Sequence, residues 1–336
     1  MASLIDNIFN LFSLQPSAGT EAQAVVFRRN DYDVTDTICI TSAAAVSNEV
    51  CRIYSALFPQ ASTAHLAQAF IDFERIHAGK YDSYYAAETP YHDMQHALDV
   101  VLCMARILSG YNQAELESRK IAADLAEIGI IVALFCDVGY IRKHDDYFIE
   151  HGAVFTSTHV SRGAEFLGLY LHDLELDAQV ELAKKLIHFT GYEVEIENIQ
   201  SESHQHKILG YMIGSADLVA QLADCCYLEK CSERLYEEFV YAELVRPEYG
   251  GDSNKEYVFE SKDHMMKMTT NFMKFSIDVR LEKTLGGVYH YLSTFFDGDN
   301  PYLDFMHKNK TYLEKLLIKG GWKGSLRRAL PIIIKK

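Results

Sequence analysis

The chain has 336 residues, 49% of them hydrophobic and 24% charged, which is enough to bury a substantial core and excludes a disordered segment. Its formal net charge of −15 argues against a protein that coats nucleic acid. It does not exclude a phosphate substrate, because a metal site creates its own positive field.

Only six prolines and no sustained strand-like alternation predict a mostly helical, all-α fold. Residues 1–40 read as an extension. Within it, 1–14 alternates apolar and polar positions at helical spacing, lacks a basic start and is too short for a signal peptide or a membrane span. Such a segment would pack on the body or on a second copy in a homodimer. Residues 15–20 are looser, and 25–40 hold short extended pieces. Helices are predicted from Ser42 through 53–58 and over 63–78, followed by a Tyr-rich loop at 79–89.

The stretch Tyr91-His92-Asp93-Met94-Gln95-His96-Ala97-Leu98-Asp99-Val100 comes next. Thr89 can cap a helix with Pro90 at its first position. Met94, Leu98, Val101, Ala105 and Leu108 continue at helical spacing, and Gly110 reads as the stop. On that helix His92 and His96 are one turn apart and face the same way, with Asp99 and Cys103 along the same line. Two imidazoles so placed can bind one metal, or one can bind while the other handles protons. A pair of ordinary histidines is the competing reading.

A helix over 121–138 is apolar on nearly every face towards its end, so it should be central. It finishes in Phe135-Cys136-Asp137-Val138-Gly139-Tyr140. A carboxylate there is costly unless something pairs with it, and a metal would. The charged loop 141–146 offers Arg142 and Lys143 to a phosphate, against the plainer reading of a solvated loop. Ser157 can cap a helix carrying His159 and Arg162. Asp177 opens another over 178–189, with His188 near its end. Residues 193–206 read as a polar loop. The helix over 209–228 has Gly210 and Gly214 one turn apart, leaving room for a neighbour, and carries Asp217 among apolar residues.

Residues 229–244 continue helically, and 246–255 form a loop. Helices over 261–283, 287–296 and 302–318 would close the domain and wall a pocket. Trp322 would dock the tail. From Lys308 to Lys336 nine Lys or Arg face one acid, Glu314, so the end is a solvated basic tail or a contact for anionic lipid or a partner. The organisation read from the chain is an extension at 1–40, a helical domain at 41–318 and a basic tail at 319–336. Seven cysteines without a CxxC pair point to a reduced, cytoplasmic protein.

Tyr-His-Asp-x-x-His-Ala-x-Asp-Val resembles the signature of class I cyclic nucleotide phosphodiesterases, Tyr-His-Asn-x-x-His-Ala-x-Asp-Val, over about ten residues, with Asp93 at the family's Asn. Those enzymes belong to the HD-domain metal-dependent phosphohydrolases, helical proteins with a His…His-Asp…Asp metal site. The resemblance implies an HD-type helical bundle with one or two divalent ions, Zn, Mn, Fe or Mg. It puts His96, Asp137 and Asp217 on one metal, with Cys136 standing where the family has His. Tyr140 stands where phosphodiesterases carry a second His and many bacterial relatives a Lys. Asp137 would bridge to a second metal held by His159 and His188, with His151 a rival to His159. His92 falls at the general-acid position, and Asp99 could orient a histidine. The implied activity is hydrolysis of a phosphoester, first a 3′,5′-cyclic nucleotide, alternatively another nucleotide phosphoester. A third reading is a degenerate HD domain that binds a ligand or partner, because Cys136 replaces the usual His.

Overall fold

The computed structural model describes residues 28–247, 255–326 and 330. The 1–14 and 15–20 segments, most of the 246–255 loop and the end of the basic tail lie outside the described residues. Among the described residues there is no β-strand, only three isolated bridges, so the all-α expectation holds. The helices are α1 Ala43–Leu57, α2 Ala64–His77, α3 Met94–Ala114, α4 Ala123–Leu134, α5 His159–Asp173, α6 Val180–Leu186, α7 His204–Ala223, α8 Tyr227–Lys230, α9 Tyr236–Tyr241, α10 Lys262–Phe275, α11 Tyr291–Phe295 and α12 Pro301–Ile318. A π-helical turn, Cys231–Leu235, joins α8 to α9, and α10 runs into a second, Ser276–Thr284. None of these helices is long and apolar enough to cross a membrane.

The centre is α3, buried at every residue from Gln95 to Asn112, with α1, α4, α7 and α11 packed around it. Leu98, Val100, Val101, Leu102, Met104, Ile107 and Leu108 point apolar groups in all directions, as a helix with no solvent face requires. Two of its polar side chains tie it to other elements. Asn112 exchanges two 2.9 Å hydrogen bonds with the backbone of Ile121. Arg106 donates to Asp33 at 2.6 Å and to the Tyr302 hydroxyl at 2.9 Å. Asp33 belongs to the N-terminal arm, where Tyr32 and Cys39 form a short antiparallel bridge and Val34 and Ile40 enter the main core. Truncating either partner of this buried ion pair should cost on the order of 3–5 kcal/mol.

Several boundaries differ from the sequence expectation. α3 begins at Met94, not Pro90, so His92 lies in the turn before the helix. Asp93 is the cap: one oxygen accepts from His96 N–H at 3.0 Å and the other from Arg234 at 3.1 Å. The Thr89 hydroxyl instead closes the preceding turn by donating to the His92 carbonyl at 2.7 Å. Gly110 does not stop α3. A Cβ there would lie 1.9 Å from the Tyr291 carbonyl oxygen, so the glycine is needed where α11 crosses. α4 ends at Leu134, leaving Asp137 in the turn ahead of a short 3₁₀ segment, Val138–Tyr140. α5 is capped by a distant residue, Glu193, whose carboxylate accepts from Val160 N–H at 2.8 Å, and not by Ser157. α7 starts within the expected loop, because the Ser203 hydroxyl accepts from His206 N–H at 3.1 Å. The room at Gly210 is taken by the Phe189 ring. Trp322 is buried and donates to Asp263 at 3.0 Å, docking the start of the tail on α10.

Candidate metal centre

Four helices meet at one corner of the bundle. His96 sits in the first turn of α3, Asp137 just beyond α4, His159 at the first residue of α5, and Asp217 in the body of α7. His96 Nε2 is 3.2 Å from Asp217 Oδ1 and 3.4 Å from Asp137 Oδ2. His159 Nε2 is 4.0 Å from Asp137 Oδ1. The local sequence explains part of this. A Cβ on Gly139 would lie 1.8 Å from the His159 carbonyl oxygen, so only glycine lets the turn after Asp137 cross the start of α5.

Asp137 is almost enclosed, and its Oδ2 has no hydrogen-bond donor. Burial alone would push its carboxyl up, but His92, His96 and His159 hold it below the ordinary carboxylate value. For His96, burial opposes the imidazolium while the Asp217 hydrogen bond and Asp137 raise its pKa above the usual value. Burial pushes His159 the other way, and Asp137 only partly offsets it. Its Nδ1 lies 2.9 Å from the Thr156 carbonyl, which can only accept, so Nδ1 carries the proton and Nε2 turns a lone pair towards Asp137.

This donor set suits a divalent cation. An undonated carboxylate oxygen, an imidazole nitrogen and a second carboxylate are ligands for Zn, Mn, Fe or Mg. The two carboxylates approach the same nitrogen, Nε2 of His96, and stand more than 4.8 Å from each other, so the three groups would have to draw together to share one ion.

The other expected residues are placed as follows. Cys136 is 1% exposed and lies against Asp137; burial and the Asp137 and Asp217 carboxylates push its thiol well above its usual pKa, so it is a neutral thiol here. His188 is not drawn into the cluster. Its Nδ1 is buried without a partner, burial pushes its pKa down, and the charge acting on it is that of Glu193. His151 is structural, accepting from Ala153 N–H at 3.1 Å and stacking on Tyr241. Arg142 is already filled, with two bonds to Glu88 at 2.8 and 2.5 Å and one to the Ile149 carbonyl at 2.5 Å. Lys143 is more open, 3.7 Å from Glu165. Asp99 is buried with Oδ1 lacking a donor, and the charges acting on it are those of Arg28, Asp224, Asp33 and Arg106.

One residue was missed by the sequence reading. Glu238, on α9, is completely buried and accepts from the backbone N–H groups of Tyr91 at 2.6 Å and His92 at 3.0 Å. Its other oxygen lies 2.5 Å from His92 Nδ1. Burial disfavours the His92 imidazolium, yet Glu238 and Asp137 raise its pKa to about 9. In sequence Glu238 follows Glu237 in what reads as an ordinary acidic helix face, and nothing local marks it.

Among the described residues, the group that does bring three candidate ligand atoms within 4.8 Å of one another lies elsewhere: Asp224, Cys225 and Cys226. Both oxygens of Asp224 are committed there, one to Cys226 N–H at 2.7 Å and one to Lys230 Nζ at 2.6 Å. Arg28 adds a further positive charge beside Cys225. The cluster is a neutralised ionic network and not an open cation site. No protein-family model matches the chain, and none of the curated proteins does.

Proposed function

We propose that this chain is a metal-dependent phosphohydrolase of the HD type, acting on a nucleotide phosphoester, with 3′,5′-cyclic nucleotides first among substrates. The observation that carries the reading is the meeting of His96 and Asp217, 121 residues apart, with Asp137, beside a His92 clamped by a buried glutamate. His96, Asp137 and Asp217 would hold the cation. A divalent ion bound there supplies a more acidic water and neutralises charge on the phosphoryl oxygens. Asp137 presents its two oxygens to different histidines, Oδ2 to His96 and Oδ1 to His159, as a bridging carboxylate would. His92, protonated at neutral pH with Nδ1–H held by Glu238, has its Nε2 proton for the leaving alkoxide. The seven cysteines are all free, which fits a reducing compartment such as the cytoplasm.

Cys136 favours a second reading. A neutral buried thiol where the resemblance calls for imidazole leaves fewer protein ligands, and a ligand-binding module could tolerate that. Metal analysis of the purified protein, never exposed to chelator, separates the two. The enzyme reading expects at least one equivalent of divalent metal per chain, with hydrolysis of cyclic nucleotides or of bis(p-nitrophenyl) phosphate, and loss of both in His96→Ala. A folded protein that retains no metal and hydrolyses none of these esters is the module.

A further inference from the structure

Tyr140 is used by nothing in the proposed chemistry, yet it touches both histidines that flank Asp137. Its ring centroid lies 4.4 Å from that of His92 and 4.3 Å from that of His159, and each imidazole is tilted only 17° from the tyrosine plane. The two imidazoles are 6.3 Å apart. These three distances make a near-right angle at Tyr140, so each imidazole lies off the ring centre, in an offset stack.

The ring is held at both ends. Its backbone is pressed between Gly139, where a Cβ would meet the His159 carbonyl, and Gly152, where a Cβ would lie 2.2 Å from the Tyr140 carbonyl oxygen. Its hydroxyl lies beside the Thr156 side chain. The carbonyl of Thr156 takes the His159 Nδ1 proton, so the same residue steadies the platform and one of the rings on it. Tyr140 is 3% exposed.

We infer that Tyr140 is a positioning residue, a rigid aromatic ring stacked on both imidazoles that fixes the planes of His92 and His159 and their spacing beside Asp137. Glu238 and Thr156 anchor one nitrogen of each imidazole, but a single hydrogen bond leaves a ring free to rotate about it. Stacking removes that freedom. The inference rests on the proposed function for what the two imidazoles do, and on geometry alone for how they are held.

The first test uses the metal-free wild-type chain with isotopically labelled histidine and tyrosine. Nuclear Overhauser effects from Tyr140 ring protons to carbon-bound protons of both imidazoles are expected, with those protons shifted upfield by the ring current. Absence of either set overturns the inference whatever the protein hydrolyses. The second compares Tyr140→Phe with Tyr140→Leu. The phenylalanine variant should keep the upfield shifts and slowly exchanging Nδ1 protons on both histidines, and the leucine variant should lose them. A folded Tyr140→Leu with unchanged histidine resonances overturns it. In metal-loaded protein Tyr140→Leu should lower kcat about tenfold for an alkyl phosphodiester and much less for a nitrophenyl ester, the order that a lost stacking contact allows. Missing metal or missing hydrolysis in the wild type counts against the proposed function and leaves the resonance measurements to decide on Tyr140.

Discussion

His92 Nδ1 lies 2.5 Å from Oε2 of Glu238, a residue 146 positions later in the chain and wholly buried. The glutamate also takes the backbone N–H of His92 and of Tyr91, so it fixes the turn as well as the ring. A carboxylate that accepts from Nδ1 leaves Nε2 as the nitrogen that can give a proton away. Glu238→Gln keeps the shape and removes the charge. We expect it to lower kcat about 10–100-fold on a substrate with an alkoxide leaving group, in the range found for lost orienting partners, with metal content unchanged. A substrate whose leaving group needs no proton should be little affected. Equal losses on both substrates would reject the acid role of His92.

Arg142 was a candidate for holding phosphate, and its surroundings assign it other work. Both prongs of the guanidinium are on Glu88, a third bond goes to the Ile149 carbonyl, and the Tyr85 ring covers it at 4.6 Å. Arg142→Ala should therefore destabilise the fold by about 1.5–3 kcal/mol, the worth of hydrogen bonds to charged groups, and leave KM unchanged. Lys143→Ala should do the reverse, because its nearest acid is 3.7 Å away and the side chain is partly exposed. A raised KM and an unchanged denaturation midpoint in Arg142→Ala would return that guanidinium to the substrate.

The helical class was legible in the pattern, and Asp137 in a local cost, because a carboxylate closing an apolar helix has to find a partner. That His96, Asp137 and Asp217 belong together was implied only by the resemblance carried by residues 91–100. What escaped depends on residues far away in sequence. Pro90 and Asp93 are both good helix starters, and Asp93 prevails because its second oxygen meets Arg234, which no local pattern contains. A stop glycine and a contact glycine look alike until the partner is seen, and at Gly110 that partner is Tyr291. Glu238 is an acid on a short helix whose importance lies entirely in being buried against His92. His188 shares the spacing of a ligand, but the carboxylate whose charge acts on it is Glu193.

The buried charges beneath α3 give the fold a pH dependence of its own. Asp99 is 4% exposed, with Oδ1 free of any hydrogen-bond donor, and the charges around it are Arg28, Asp224, Asp33 and Arg106. Burial pushes its carboxyl up to about 6 against the pull of Arg28 and Arg106. Asp33 is also buried, but Arg106, the Ile38 N–H and the Thr35 hydroxyl hold its carboxyl below the ordinary value. The two act with opposite sign. An unfolded aspartate titrates near about 3.9, so between about pH 4 and 6 the folded chain binds more protons at Asp99, and stability falls as pH rises through that window. At Asp33 the folded chain binds fewer, so its contribution is present above about pH 4 and is lost as pH falls through the lowered folded value. The contribution of these two groups together should peak near about pH 4 and decline by at most about 3 kcal/mol towards neutrality. Urea unfolding at a series of pH values reads this directly. Asp99→Asn should flatten the profile between about pH 4 and 6, raise stability at pH 7.5 and leave the loss in strong acid in place. A wild-type profile already flat from pH 4 to 7, or an asparagine variant less stable at pH 7.5, would show that Asp99 keeps its charge through pairing with Arg28 and Arg106.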